Sequence, residues 1–450
     1  MTERALRPSL AGWHRRVWRL SGPIILSNVS IPLMGAVDTA VMGHLPDPAY
    51  IGAVALAATV FNFVYWSLGF LRMGTTGFAA QAHGAGSALD VRAALFRPLL
   101  IAGAIGAFLI LLQVPIGKLA FWLLGGGADV TALAERYYAI RIWSAPAAFA
   151  NYVLSGWLLG MQRARATMVL QVALNGINAA LAILFVIGLG WGIAGVASAT
   201  LTAEWLSVAI GLALARAPLG EYRSSARLTL TFLLDRQALA SLFRVNGNIF
   251  LRTLGLVFAF SYFTRLGARM GDLTLASNSV LMQFQAFTAY GLDGFANAAS
   301  AFVGSAVGAR DREEFRQAVR ATTLWAAALA AIAALVYLLF GRDLIALMTN
   351  LETVRAAAAR DLPWMIASPL VSFWCFQLDG IFLGATRSAE MRNSMVFAVA
   401  TFVISTLLFI PLWGNDGLWL ALLLFLGARG VALGAYYPRL QRAVGGQPGA

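Results

Sequence analysis

Twelve stretches of mostly apolar residues, each about as long as a bilayer-spanning helix, follow one another through this chain with only short polar turns between them. The hydrocarbon core of a bilayer is roughly 30 Å thick, and a helix needs about 20 apolar residues to cross it. In that medium each backbone N–H and C=O must be satisfied within the segment, which makes the stretches helices. They read as 17–43, 51–81, 93–124, 133–161, 166–189, 192–216, 241–268, 275–305, 316–346, 357–386, 391–411 and 416–439. Turn residues separate them, as in His44-Leu-Pro-Asp-Pro48, Gly125-Gly-Gly-Ala-Asp129, Gly188-Leu-Gly-Trp-Gly192 and Gly414-Asn-Asp-Gly417. The expected fold class is an all-α integral membrane protein with twelve transmembrane helices.

Composition removes the competing classes. Hydrophobic residues make up 60% of the chain and charged ones 12%, about half the charge of an ordinary soluble domain. The net charge of +13 fits basic loops beside anionic headgroups and not nucleic acid, which is not an expected partner. The single cysteine, Cys375, excludes an intrachain disulfide, and His14, His44 and His83 lie far apart. No metal and no cofactor are expected. The chain has no Walker loop, no His-Glu-x-x-His and no Gly-x-Ser-x-Gly, so neither direct ATP drive nor an enzyme is expected.

Arginines give the orientation. With a cytoplasmic N-terminus, Arg15, Arg16, Arg92, Arg163, Arg223, Arg310 and Arg387 all fall on one side, while loops 43–51 and 188–192 on the other carry none. Both termini are therefore expected in the cytoplasm, as an even helix count requires, in a monomeric multi-pass protein of the inner (plasma) membrane.

The chain also repeats. An offset of 224 residues lays Ser155-Gly-Trp-Leu-Leu-Gly-Met-Gln-Arg163 on Asp379-Gly-Ile-Phe-Leu-Gly-Ala-Thr-Arg387, Gly84-Ala85 on Gly308-Ala309, and Gly43 on Gly267. The expected organisation is an N-terminal six-helix lobe over 1–216, a cytoplasmic linker over 217–240 and a C-terminal six-helix lobe over 241–450. Transporters bind substrate between repeats of this kind.

Ionisable groups inside a bilayer are expensive and mark function or a partner. Asp38, Glu204, Asp293 and Asp379 are the candidate acids within the spans, and Arg72, Arg252 and Arg429 the candidate cations. Asp38 shares its helix with Pro23 and Pro32, where kinks are expected. Ser27, eleven residues earlier, lies on nearly the same face. Asp38 is either a coupling acid or a structural one held by neighbouring hydroxyls and amides. Asp293, Asp379 and Arg252 either line a C-terminal cavity or form a buried ion pair, Arg252 with one of the two acids. Structural pairing is expected for Glu204 and Arg429, and Arg72 either lines the interior or snorkels to the surface. Asn175 and Asn178 in the fifth helix and Thr200 in the sixth supply interhelical hydrogen bonds or neutral oxygens for a cation.

The run Val37-Asp-Thr-Ala-Val-Met-Gly43, with Leu71-Arg-Met-Gly-Thr-Thr-Gly77, Gly156-Trp-Leu-Leu-Gly160, Leu292-Asp-Gly-Phe295, Leu378 to Arg387 and Glu390-Met-Arg-Asn-Ser394, resembles the multidrug and toxic compound extrusion (MATE) transporters, most closely their DinF branch. The resemblance covers nearly the whole chain. It implies two pseudo-symmetric six-helix bundles around a central cleft that opens alternately to either side. It implies a functional acid at Asp38 and N-terminal site partners at Asn178 and Thr200. At Ala182, where members often carry a second acid, this sequence departs from the pattern, which weakens a sodium site.

The expected function is secondary antiport, exporting drugs or other small amphipathic or cationic molecules in exchange for protons, with sodium the lesser alternative. A lipid-linked oligosaccharide flippase of the same wider superfamily and a non-transporting membrane scaffold are the other readings.

Overall fold

The computed structural model describes the backbone of residues 10–43, 49–125, 127–222 and 228–444, and the side chains of these except 10, 11, 29 and 31–39. Among the described residues are twelve long helical passes and no strand. α1 covers Leu10–Gly43 and α2 covers Ala49–Ser67 and Phe70–Ala85. α3 covers Ala88–Leu111 and Gln113–Leu124, and α4 covers Ala128–Arg141 and Ala145–Gly160. α5 is Ala164–Ala182, extended by a π-helical turn over Ile183–Gly188, and α6 is Gly192–Glu221. After a short helix at Leu230–Leu233 come α7 (Arg236–Arg269), α8 (Asp272–Gly308) and α9 (Arg312–Met348). α10 (Glu352–Gly384), α11 (Ser388–Trp413) and α12 (Asn415–Ala443) complete the chain. Nine described helices are long and apolar enough to cross a membrane by length and composition. The breaks have local causes: α4 restarts with Pro146 in its first turn, where a missing N–H costs nothing. α1 runs through Pro23 and Pro32 as one helix, but the side chain of Pro32 lies outside the described residues, as does the 44–48 turn.

The internal repeat is a repeat of structure. Gly86 and Arg310, 224 residues apart, both take left-handed φ, +65° and +56°. Gln162 and Thr386 do the same at +57° and +55°. Each closes its helix with the same pair of main-chain bonds: Gln162 N to Leu159 O and Arg163 N to Leu158 O, then Thr386 N to Leu383 O and Arg387 N to Phe382 O, at 2.8–2.9 Å. That is the Schellman ending, which satisfies carbonyls a helix would otherwise leave open. Gln162, Arg310 and Thr386 are the only non-glycine residues with positive φ among those described. The next helices start alike, with Ser87 capping α3 through Asp90 N and Asp311 capping α9 through Glu313 N and Glu314 N.

Helix contacts repeat too. A Cβ added at Gly156 or Gly160 of α4 would collide with the backbone of α2 at Arg72 and Thr76. At Gly380 or Gly384 of α10 it would collide with α8 at Ala296 and Ser300. Gly156, Gly160, Arg72 and Thr76 map onto Gly380, Gly384, Ala296 and Ser300 by the same offset of 224. Small residues that let backbones touch replace the hydrophobic drive that helices lack in lipid.

By packing, the chain divides into two compact units, Leu26–Leu242 and Met1–Ile25 together with Phe243–Ala450. In the second unit the first turns of α1 lie on α8 and α9. Trp13 meets Phe302 edge-on at 5.7 Å between ring centres, and Trp18 meets Phe295 at 5.6 Å and Trp325 at 5.1 Å. Arg16 pairs with Glu314 at 3.3 Å, and Trp325 donates to His14 Nδ1 at 3.1 Å.

Candidate functional sites

In the first unit, polar side chains converge from α1, α5 and α6. Asn175 and Asn178 are three residues apart and share one face of α5. Asn175 donates to Ser30 Oγ of α1 at 2.7 Å, and its Oδ1 accepts from Gln171 at 3.2 Å. Ser30 in turn donates to the Ser27 carbonyl at 2.6 Å, and the Ser27 side chain is buried. Asn178 donates to Thr200 Oγ1 at 3.1 Å, while Thr200 donates to the Val196 carbonyl at 3.3 Å. The acceptor Oδ1 of Asn178 is buried and has no partner among the described residues. Of the residues read from sequence, the structure thus joins Asn178 directly to Thr200, and Asn175 to the α1 turn that carries Ser27. Ser30 and Gln171 were not singled out. Their signal was their spacing, three residues from Ser27 and four from Asn175. The Asp38 side chain lies outside the described residues.

In the second unit, one carboxylate holds two guanidinium groups. Asp379 Oδ2 on α10 accepts from Arg252 Nη2 on α7 and, at 2.6 Å, from Arg429 Nη2 on α12. All three are buried, Arg429 at 2% relative exposure. Phe425 and Phe376 flank the Arg429 guanidinium, 5.7 and 6.0 Å from ring centre to Cζ. Asp293 on α8 is in electrostatic range of Arg429, so two cations are set against two acids. Arg252 therefore takes Asp379, one of the two partners open to it from sequence, and Arg429 joins the same pair. Such a knot ties three helices together, since charges at this depth persist only when opposed.

Glu204 on α6 is held differently. Its partner is a neutral amide: Asn151 Nδ2 of α4 donates to Glu204 Oε2 at 2.6 Å and to the Glu204 carbonyl at 3.0 Å. Structural pairing was expected of Glu204 and Arg429 alike. Arg429 has an anion, whereas Glu204 makes no ion pair among the described residues. Asn151 gave no sequence signal that set it apart from the other polar residues of its span.

The chain is similar to known proteins along most of its length. The MatE family model matches residues 23–184 and 249–411, one stretch in each half. DNA damage-inducible protein F of Escherichia coli (strain K12) is 44% identical over 425 residues, covering 94% of this chain and 92% of its own. A probable multidrug resistance protein NorM of Deinococcus radiodurans is 31% identical over 320 residues, 68% of this chain and 66% of its own. Among solved structures, the outward-facing conformation of a multidrug resistance MATE family transporter of the MOP superfamily superposes with a TM-score of 0.85 at 20% identity over 99% of both chains. A MATE in the bent conformation superposes at 0.86 and 19% identity over 97% of both. These two establish the twelve-helix fold.

Proposed function

Because this chain belongs to the MatE family, whose members are multidrug efflux transporters and not enzymes, we propose that it exports small amphipathic or cationic compounds in exchange for protons by alternating access. The observation that carries the ion assignment is the state of the oxygens around α5 and α6. Asn175 Oδ1 is taken by Gln171, Thr200 Oγ1 already donates to Val196 and accepts from Asn178, and of these oxygens Asn178 Oδ1 has no partner among the described residues. A sodium ion must trade its water shell for several oxygens at once, and a dehydrated hard cation is not held by one amide and one carboxylate. Ala182, buried in the same helix, contributes none. A proton needs a single carboxylate, which Asp38 supplies.

In liposomes holding the purified protein, an imposed proton gradient without sodium is expected to drive uptake or efflux of a fluorescent organic cation such as ethidium. A sodium gradient at fixed pH is expected to drive none. Transport that stops when sodium is withdrawn, with the proton gradient intact, overturns the ion assignment.

The proposal places the protein in the inner membrane as a monomer with both termini and the 217–240 connection in the cytoplasm. The support is the arginine asymmetry, which sets helix orientation in bacterial membranes. Single cysteines in a Cys375→Ala background test it. Impermeant maleimide added to intact cells is expected to label a cysteine in loop 43–51 and to leave one in 217–240 unmodified. External labelling of 217–240 refutes the orientation.

A further inference from the structure

In the second unit two arginines oppose the buried Asp379 carboxylate, while in the first unit no arginine pairs with the half-buried Glu204 among the described residues. The Glu204 carboxylate receives one N–H from the Asn151 side chain and has no cation within ion-pair distance among the described residues. Both amide hydrogens of Asn151 are spent on Glu204, one on its carboxylate and one on its carbonyl. Asn151 itself is 5% exposed, and its Oδ1 is buried without a donor among the described residues. A lone neutral amide compensates poorly for a full charge in a low-dielectric interior.

The neighbouring charges explain why no arginine closes the gap. Arg141 of α4 donates through Nη1 to Tyr137 at 3.0 Å and lies over the Phe61 ring at 4.6 Å. Its Nε has no partner among the described residues. Arg141 is thus in electrostatic range of Glu204 without reaching it. From α4, Tyr152 is also in range of Glu204, and from α2 so is Tyr65, whose hydroxyl is 3.4 Å from Ser144 Oγ. Arg72 of α2 is in range of Tyr152. α5, which also packs on α6, has no titratable residue between Ala166 and Gly188.

We propose that Glu204 is a second proton-binding group of the N-terminal half, loaded and unloaded at the contact between α4 and α6. Protonation gives Glu204 an O–H, the donor that the unfilled Asn151 acceptor lacks. Loss of the proton leaves a carboxylate opposite the partly unpaired Arg141 guanidinium. The two states thus prefer different partners on α4, which is what coupling a proton to a conformation requires. Glu204 stands four residues beyond Thr200 on α6, about 6 Å along one face. A change there acts on the helix that holds the Asn178–Thr200 bond.

The inference rests on the proton-exchange reading, and one experiment separates their failures. Purified full-length protein in detergent is titrated with ethidium from acidic to alkaline pH. Affinity and the protons released into weak buffer with a pH-sensitive dye are recorded together. In the parent, affinity is expected to rise with pH and binding to release protons. Glu204→Gln, which keeps the shape and the Asn151 bond, is expected to flatten the affinity profile and release up to about one proton fewer per bound cation. Glu204→Asp is expected to keep the release with a shifted midpoint. If Glu204→Gln does not accumulate, Asn151→Leu serves instead. It removes only the amide and is expected to displace the pH midpoint. A parent that releases no protons refutes the exchange reading and this proposal together. A parent that releases protons, with Glu204→Gln or Asn151→Leu matching it in number and midpoint, refutes the role of Glu204 alone.

Discussion

Asp38→Asn is expected to insert and accumulate like the parent while its proton-driven export falls to less than about a tenth of the parental rate. Asn is nearly isosteric with Asp and mimics the protonated carboxyl, so helix packing survives. What it cannot do is alternate. In the proposed cycle a proton arriving from outside neutralises Asp38, its hydrogen-bond partners rearrange and the affinity for substrate falls. Loss of that proton to the cytoplasm restores the binding state. α1 is suited to carry such a change, because the Asn175–Ser30 bond at 2.7 Å ties it to α5, next to the Asn178–Thr200 pair. The cycle works only if the two protonation states favour different arrangements, and a fixed amide holds the protein near one. The check is ethidium efflux under an imposed proton gradient at matched membrane expression. Parental efflux by Asp38→Asn removes Asp38 from the cycle.

Asp379→Ala is expected to act through stability. It removes the anion from two buried guanidinium groups on α7 and α12. Breaking a buried pair by deleting one partner costs about 3–5 kcal/mol, because the surviving charge stays in the low-dielectric interior. Asp293, in range of Arg429, offsets part of that cost. The expected readout is a lower unfolding temperature in detergent, followed by size-exclusion chromatography, together with reduced accumulation. The triple change Asp379→Leu, Arg252→Met and Arg429→Met, which removes every member of the pair set, is expected to recover most of the loss, since apolar replacements of similar volume are tolerated where ion pairs sat. An Asp379→Ala protein that is as stable as the parent but does not export contradicts the structural reading and makes Asp379 a working acid of the C-terminal half.

Much of the architecture was legible in the order of the residues. A spanning helix is announced by some twenty apolar neighbours and ended by Gly or Pro, both local properties, so the twelve passes lie where hydropathy put them. The repeat was legible because Gly156, Gly160, Gly380 and Gly384 answer to a local need, the close approach of two backbones. The choice of partners was not. Sequence left Arg252 between Asp293 and Asp379, gave Arg429 no named partner, and singled out Glu204 without Asn151. It also drew a boundary near 217–240, with no sign that the described start of α1, through Ile25, packs with α8 and α9. In water an amphipathic stripe shows which face of a helix turns inward. In a bilayer the lipid-facing and the buried surfaces are equally apolar, so helical periodicity places residues on a face without saying which face meets which neighbour. The sequence by itself therefore determined the medium, the helices and their duplication. Only the packing of helices distant along the chain decided that Asp379 is held by two arginines and Glu204 by a single amide.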